Sequence, residues 1–118
     1  MLKVYEYSGC GNCRKALKYL DSLGIDYDRI PIREQVPDVA EISAVLDTYQ
    51  GNVRRLFNTS GQTYREMGIK EKLDSLSTDE VIALLRSNGN LIKRPFIVGD
   101  GVALVGFKQP DWDSIFSD

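Results

Sequence analysis

The first 32 residues of this 118-residue chain carry the pattern that most restricts its fold. Residues 2–7 (LKVYEY) are rich in β-favouring side chains and predict a strand. Apolar side chains then recur at helical steps over residues 12–23, and Gly24 follows where a helix end favours glycine. Residues 27–32 predict a second strand. A strand, a crossover helix and a second strand of these lengths form a β-α-β unit, in which the two strands run parallel.

The rest of the chain predicts a helical segment followed by a hairpin. The helical segment begins at Pro37-Asp38 and is interrupted around Gly68. Its last helix follows the capping box of residues 77–80, and we expect that helix to stop at Gly89. Two short strands then flank the turn of residues 99–101, before a final amphipathic turn. This order predicts an α/β fold of the thioredoxin-like (glutaredoxin-like) type. We expect one domain over residues 1–118, with a mixed four-stranded sheet and a helical lobe inserted over about residues 37–90.

Composition excludes several classes of function. Histidine is absent, which removes Cys-His nucleophilic pairs and Cys/His zinc sites. Fifteen basic and seventeen acidic residues give a net charge of -2, so we expect no direct binding of nucleic acid. No apolar run approaches the length of a membrane span, and the first residues alternate rather than forming a signal peptide. We therefore expect a cytoplasmic protein with no membrane partner, acting as a monomer.

The only two cysteines, Cys10 and Cys13, lie where the first strand ends and the first helix begins. The unpaired amides and positive dipole of a helix N-terminus stabilise a thiolate there, and Arg14 adds positive charge. A spacing of three places Cys13 one turn along the same helical face, within reach of a disulfide. We expect Cys10 to be the exposed nucleophile and Cys13 the shielded thiol that resolves a mixed disulfide. Gly11 and Asn12 beside them are candidate substrate contacts.

Two other interpretations of the cysteine pair stay open at this point. A zinc or iron-sulfur site needs about four ligands, and two cysteines without histidine do not supply them from one chain. Two inert buried thiols are a second alternative, because free cysteine packs well in protein cores. A close cysteine pair in a reducing compartment more often performs redox chemistry, which favours the thiol-disulfide hypothesis.

A second informative stretch is LIKRPFIV, which places Pro95 at the first residue of a strand. Strands tolerate proline there, so it has a purely structural interpretation. In the predicted fold it also has a functional one, a cis-proline that faces the thiol pair and leaves neighbouring backbone free for a peptide or glutathione. Arg94 would then offer its guanidinium to an oxyanion or to the Cys10 thiolate, unless it is an ordinary surface arginine.

Four motifs stand in order along the chain: strand-CxxC-helix, FNTSG, LIKRP and VGFK. With them the sequence resembles the ArsC/Spx family, the arsenate-reductase-like branch of the thioredoxin fold, from about residue 4 to residue 108. The resemblance implies a four-stranded mixed sheet with an inserted helical lobe. It also implies a nucleophilic cysteine that matches Cys10 and an Arg-cis-Pro step that matches Arg94 and Pro95.

The resemblance leaves three functions to distinguish. The first is a thiol-disulfide oxidoreductase that uses Cys10 and Cys13, acts on a thiol, a disulfide or a small oxyanion, and needs no bound cofactor. Glutathione, glutaredoxin or thioredoxin would be its electron donor and redox partner. The second is a redox-sensing regulator similar to Spx, which binds the RNA polymerase α subunit. The third is a glutaredoxin-dependent arsenate reductase.

Overall fold

A computed structural model describes residues 1–116, which form a four-stranded mixed sheet with helices on both faces. The strands are β1 (Leu2–Glu6), β2 (Tyr27–Pro31), β3 (Phe96–Gly99) and β4 (Val102–Val105). They lie in the order β2-β1-β3-β4, with β1 and β2 parallel and the other two pairings antiparallel. The helices are α1 (Gly11–Ser22), α2 (Val39–Thr48), α3 (Gln62–Glu66), α4 (Ile69–Lys72), α5 (Thr78–Ser87) and α6 (Gln109–Phe116).

The two faces of the sheet pack against different helices, because successive strand side chains point in opposite directions. In β1, Leu2 and Val4 are buried on the face covered by α1 and α6. Tyr5 is buried on the other face, against the helices that connect β2 to β3. The first core also contains Ala16, Leu20, Ile97, Leu104 and Trp112. The central strand is thus covered by helices on both sides, and its C-terminal end opens onto the cysteine motif.

The connection between β2 and β3 is helical, as the sequence predicts. Asp38 and Ser77 each begin a helix through a capping box, with the reciprocal hydrogen bonds of both boxes present. Gly68 separates α3 from α4 in a left-handed conformation, at a φ of 60°. Short 3₁₀ turns at Val53–Leu56, Leu73–Ser75 and Gly89–Leu91 complete the segment. The fold prediction, a thioredoxin-like mixed sheet with a helical lobe between its second and third strands, is confirmed.

The role of Gly89 differs from the prediction that it stops a helix. Helix α5 ends at Ser87, and Gly89 begins a buried 3₁₀ turn instead. A Cβ atom at Gly89 would lie 2.0 Å from the carbonyl oxygen of Ile32 and 3.1 Å from the Cα of Arg33. Glycine is therefore required by the close approach of two backbones, which brings the end of the helical segment against the residues that follow β2.

The edge strand β4 is bound by a side chain from the helical segment. The Tyr49 hydroxyl donates to the carbonyl of Val105 at 3.2 Å and accepts from the amide of the same residue at 3.1 Å. Tyr49 follows the end of α2, so this pair of hydrogen bonds ties the segment to the sheet.

None of the helices within residues 1–116 has the combination of length and apolar character that crossing a bilayer requires.

Candidate active site

Cys10 occupies the N-cap position of α1, immediately beyond the turn that follows β1. Its backbone is extended, and the amide of Cys13 donates to its sulfur at 3.2 Å. A side chain that accepts from the amide of the third helical residue satisfies one of the unpaired donors of a helix N-terminus. The sulfur of Cys10 is therefore held where helix amides and the helix dipole stabilise negative charge, on a partly exposed side chain.

Cys13 lies one turn along the same helix and is buried, with 1% of its surface exposed. It shares a face of α1 with Ala16 and Leu20, which pack against the sheet. Burial and, after it, the hydrogen bond with the Cys10 side chain raise the pKa of Cys13 to about 12. At neutral pH, Cys13 is thus a protonated thiol in contact with the partly exposed Cys10.

A buried carboxylate lies on the same face of the sheet as Cys13. Glu6 is 7% exposed at the end of β1 and points, like Leu2 and Val4, towards α1. Arg29 of β2 donates to its carboxylate at 2.9 Å. The negative charge of Glu6 is a further, smaller cause of the raised Cys13 pKa.

The loop before Cys10 is packed around the Tyr7 ring. The Tyr7 carbonyl accepts from the Cys10 amide at 3.0 Å. A Cβ atom at Gly9 would lie 2.6 Å from Cε2 of that ring, so only glycine allows the ring to lie this close to the loop. Arg14 reaches back along the helix, and its guanidinium donates to the Ser8 carbonyl at 3.1 Å. The predicted substrate contact Arg14 therefore also braces the loop that carries Cys10.

Arg94 and Pro95 precede β3 and are joined by a cis peptide bond, as expected from the sequence. The Pro95 carbonyl accepts from the Gly106 amide at 2.8 Å, which continues the β3-β4 pairing. The guanidinium carbon of Arg94 lies 5.2 Å from the centre of the Tyr7 ring. Tyr7 thus links Arg94 to the loop that carries Cys10.

Gly11 and Asn12, the other predicted substrate contacts, form the exposed first turn of α1. The position of a Cβ atom on Gly11 is open, and a guanidinium nitrogen of Arg14 would lie 3.8 Å from it. Asn12 lines a cleft of about 450 Å³ with Arg55, Lys93 and Lys108. One of the predicted contacts, Asn12, therefore lines a cleft that carries three cationic side chains and one acidic side chain, Asp111.

Sequence reasoning placed Tyr7 in the first strand and gave no role to Arg33, so it missed the contributions of both. The guanidinium carbon of Arg33 lies 4.7 Å from the Tyr7 ring centre. Parallel strands bring the residues that follow their C-terminal ends to one edge of a sheet, where α/β proteins bind ligands. The parallel pairing of β1 and β2 was the available signal, because Arg33 follows β2 as Cys10 follows β1.

No metal centre competes with the thiol pair in the part of the chain that the structure describes. Residues 1–116 contain no group of three or more His, Cys, Asp or Glu side chains placed to hold a metal ion.

Comparison with known proteins agrees with this architecture. The model of the ArsC family matches residues 5–115. The chain is 42% identical to the uncharacterized protein YusI of Bacillus subtilis over 112 residues, 95% of either chain. It is 25% identical over 111 residues to the global transcriptional regulator Spx of Listeria monocytogenes serovar 1/2a, covering 94% of this chain and 83% of Spx.

Among solved structures, the crystal structure of a possible arsenate reductase from Streptococcus mutans is similar to this one with a TM-score of 0.86 and 43% sequence identity. The similarity covers 96% of this chain and 98% of the other. A family match over nearly the whole length and a common fold lead to one conclusion: the chain belongs to the ArsC family.

Proposed function

We propose that this protein is a thiol-disulfide oxidoreductase in which Cys10 is the nucleophile and Cys13 the resolving thiol. The observation that carries the proposal is the unequal environment of the two sulfurs. The Cys10 sulfur is partly exposed and accepts a hydrogen bond from a helix amide at 3.2 Å, whereas Cys13 is buried and its pKa is raised to about 12. Membership of the ArsC family also supports the proposal of an oxidoreductase.

The reaction has two steps. The Cys10 thiolate attacks a substrate disulfide, forms a mixed disulfide and displaces one half of the substrate as a thiolate. Cys13 then loses its proton to solvent and attacks the Cys10 sulfur, which releases the second half as a thiolate. The substrate gains two electrons and the protein ends with a Cys10-Cys13 disulfide. Glutathione, glutaredoxin or thioredoxin would return the two electrons, in a reducing compartment such as the cytoplasm and without a bound cofactor.

Alkylation of the reduced protein at different pH values tests this division of roles. Cys13 should react only at strongly alkaline pH, since only the thiolate reacts and its pKa is raised to about 12, whereas the partly exposed Cys10 should be alkylated first. Peptide mass spectrometry distinguishes the two sites, and Cys10→Ser and Cys13→Ser variants serve as matched controls. Equal, slow reaction at both sites in the wild type would refute the assignment.

Trapping with the Cys13→Ser variant identifies what Cys10 attacks. Without the resolving thiol, the mixed disulfide should accumulate in a cell extract and be released by a reductant. The Cys10→Ser variant provides the background. A monomeric protein should give a mixed disulfide with a small thiol or with a redox partner, rather than a disulfide between two copies of itself.

A redox-sensing regulator is the second candidate function, and the similarity to Spx over 94% of this chain favours it. Its partner would be the RNA polymerase α subunit, as the family resemblance implies. Purified α subunit should then bind the wild type with an affinity that changes when the Cys10-Cys13 disulfide forms. Stable binding with no turnover of any disulfide would favour the regulator over the oxidoreductase.

Arsenate reduction is the third candidate, favoured by the likeness to the possible arsenate reductase of Streptococcus mutans. A glutaredoxin-coupled assay with arsenate tests it, with Arg94→Ala as the comparison. Turnover that falls in the variant would establish the activity, and no turnover by the wild type would remove it.

A further inference from the structure

A cleft of about 240 Å³ lies beside Tyr7, between the end of β2 and the loop that leads into α3. Its lining contains two arginines and no acidic side chain. The polar side chains that line it are Tyr7, Arg33, Asn58, Gln62, Thr63, Asn90 and Arg94. This cleft does not include either cysteine.

Both arginines are without an acidic partner in the described part of the chain, since neither Arg33 nor Arg94 forms an ion pair within residues 1–116. The Nη1 atom of Arg94 is buried and has no hydrogen-bond partner among the same residues. A buried guanidinium nitrogen without an acceptor is costly, and natural proteins rarely leave one. The geometry of the cleft therefore suits an acceptor that carries negative charge.

The neighbouring loop supplies neutral donors to the same space. The Asn58 side-chain amide donates to the Asn90 carbonyl at 3.5 Å. A Cβ atom at Gly61 would lie 2.7 Å from the amide nitrogen of Asn58, so glycine lets this loop fold closely over the amide. The walls of the cleft thus combine two guanidinium groups with three side-chain amides and two hydroxyls.

The position of the cleft determines which part of a substrate it can hold. Tyr7 connects the cleft to the redox loop, because its carbonyl accepts from the Cys10 amide while its ring packs against Gly9. Neither Cys10 nor Cys13 lines the cleft. A group bound there lies next to the loop that carries Cys10 and is not the atom that the sulfur attacks.

We infer that this cleft binds the non-reacting carboxylate of a small thiol or disulfide substrate, through Arg33 and Arg94. The inference rests on the proposed thiol-disulfide activity and adds the substrate class to it. A planar carboxylate matches the fork of donors on a guanidinium group. The small volume of the cleft suits a short carboxylate-bearing chain attached to the sulfur that forms the mixed disulfide with Cys10.

The test compares two small disulfides that differ in charge. Bis(2-carboxyethyl) disulfide carries two carboxylates and bis(2-hydroxyethyl) disulfide carries none. The Cys13→Ser variant stops the reaction at the mixed disulfide, whose rate of formation is followed by intact-mass spectrometry. Each rate is divided by that of the same disulfide with free 2-mercaptoethanol, which removes the intrinsic difference between the probes. The corrected rate should be higher for the dianionic disulfide.

Arg33 is the residue to change, because it is exposed and its replacement does not disturb the core. In the Cys13→Ser background, Arg33→Met should lower the corrected preference for the dianionic probe about tenfold, and the rate with the neutral probe measures any effect of the substitution that does not depend on the carboxylate. Arg33→Lys, which keeps the charge but loses the fork, should give a smaller loss. Arg54→Met is the matched control, since it removes an exposed arginine outside the cleft, and it should leave the preference intact.

The possible failures are distinguishable. If neither disulfide reacts with Cys10, the proposed oxidoreductase activity fails. If both react and Arg33→Met leaves the preference unchanged, or Arg54→Met lowers it equally, the carboxylate site is refuted. A third probe, an acidic peptide with one mixed disulfide, separates the sources of the carboxylate. A larger Arg33-dependent preference for that peptide would overturn the assignment to a small molecule.

Discussion

Replacing Gly89 by alanine tests whether the contact between the helical segment and the end of β2 holds the site together. The new Cβ atom would lie 2.0 Å from the Ile32 carbonyl oxygen and 2.8 Å from the Ile32 carbonyl carbon. The first of these distances is about 1.4 Å short of the 3.4 Å at which ordinary contact begins. The atoms in the way belong to the backbone and cannot move aside as a flexible side chain would.

The substitution should lower the free energy of unfolding by about 3 kcal/mol, at the upper end of the range for overpacking. For a chain of this size, that loss corresponds to a fall in Tm of roughly 10 °C. The cost has a second component near the site, because the next residue along the chain from Ile32 is Arg33. The shifted backbone should therefore also weaken the preference of Cys10 for the dianionic disulfide.

Urea unfolding followed by far-UV circular dichroism measures the free energy of unfolding of both proteins under reducing conditions. Gly24→Ala is the control, because Gly24 also needs glycine but for another reason. It has a φ of 70° and no atom within 4 Å of a new Cβ, so alanine there costs only the backbone strain, about 1 kcal/mol. If Gly89→Ala costs no more than Gly24→Ala, the reasoning from the close backbone approach is wrong.

Three further changes test other contacts. In a Cys10→Ser background, Glu6→Gln removes a negative charge and should lower the pH at which Cys13 alkylates; the shift should be small, because burial contributes more to the raised Cys13 pKa. Burial alone would raise the pKa of Glu41, but the hydrogen bonds from the Tyr5 hydroxyl, the Asp38 backbone amide and the Lys3 ammonium together outweigh it and lower that pKa. Glu41→Gln should therefore lower the free energy of unfolding by about 1 kcal/mol at neutral pH. In urea titrations the free energies of the two proteins should converge as the pH falls through and below 4.5, because the wild type loses this contribution when Glu41 is protonated. Tyr49→Phe leaves two backbone groups of β4 unpaired and should lower the free energy of unfolding by about 2 kcal/mol, whereas no loss would show that water replaces the hydroxyl.

The sequence predicts most of the fold because its local signals agree with the tertiary structure. The capping boxes that begin with Asp38 and Ser77 and the left-handed glycine at Gly24 all act within one turn of chain. The interpretation of Gly89 fails because its reason is a contact with Ile32, 57 positions away, and no local pattern records such a distance.

The candidate site, too, is predictable from local sequence only in part. The unequal environments of Cys10 and Cys13 follow from a helix N-terminus and a helical spacing of three, both of which are visible in the motif. The gathering of Arg33 and Arg94 around Tyr7 depends on three segments that are distant in sequence, and it becomes visible only once the sheet order is known.

The hydroxyl of Tyr49 also limits how a partner can approach. β4 is an edge strand, and exposed backbone groups at such an edge ordinarily recruit an extended peptide as an additional strand. At Val105 both groups are already occupied by one phenolic oxygen. A polypeptide substrate therefore gains no backbone pairing at Val105 while Tyr49 stays in place, and recognition at that position depends on side chains and charge.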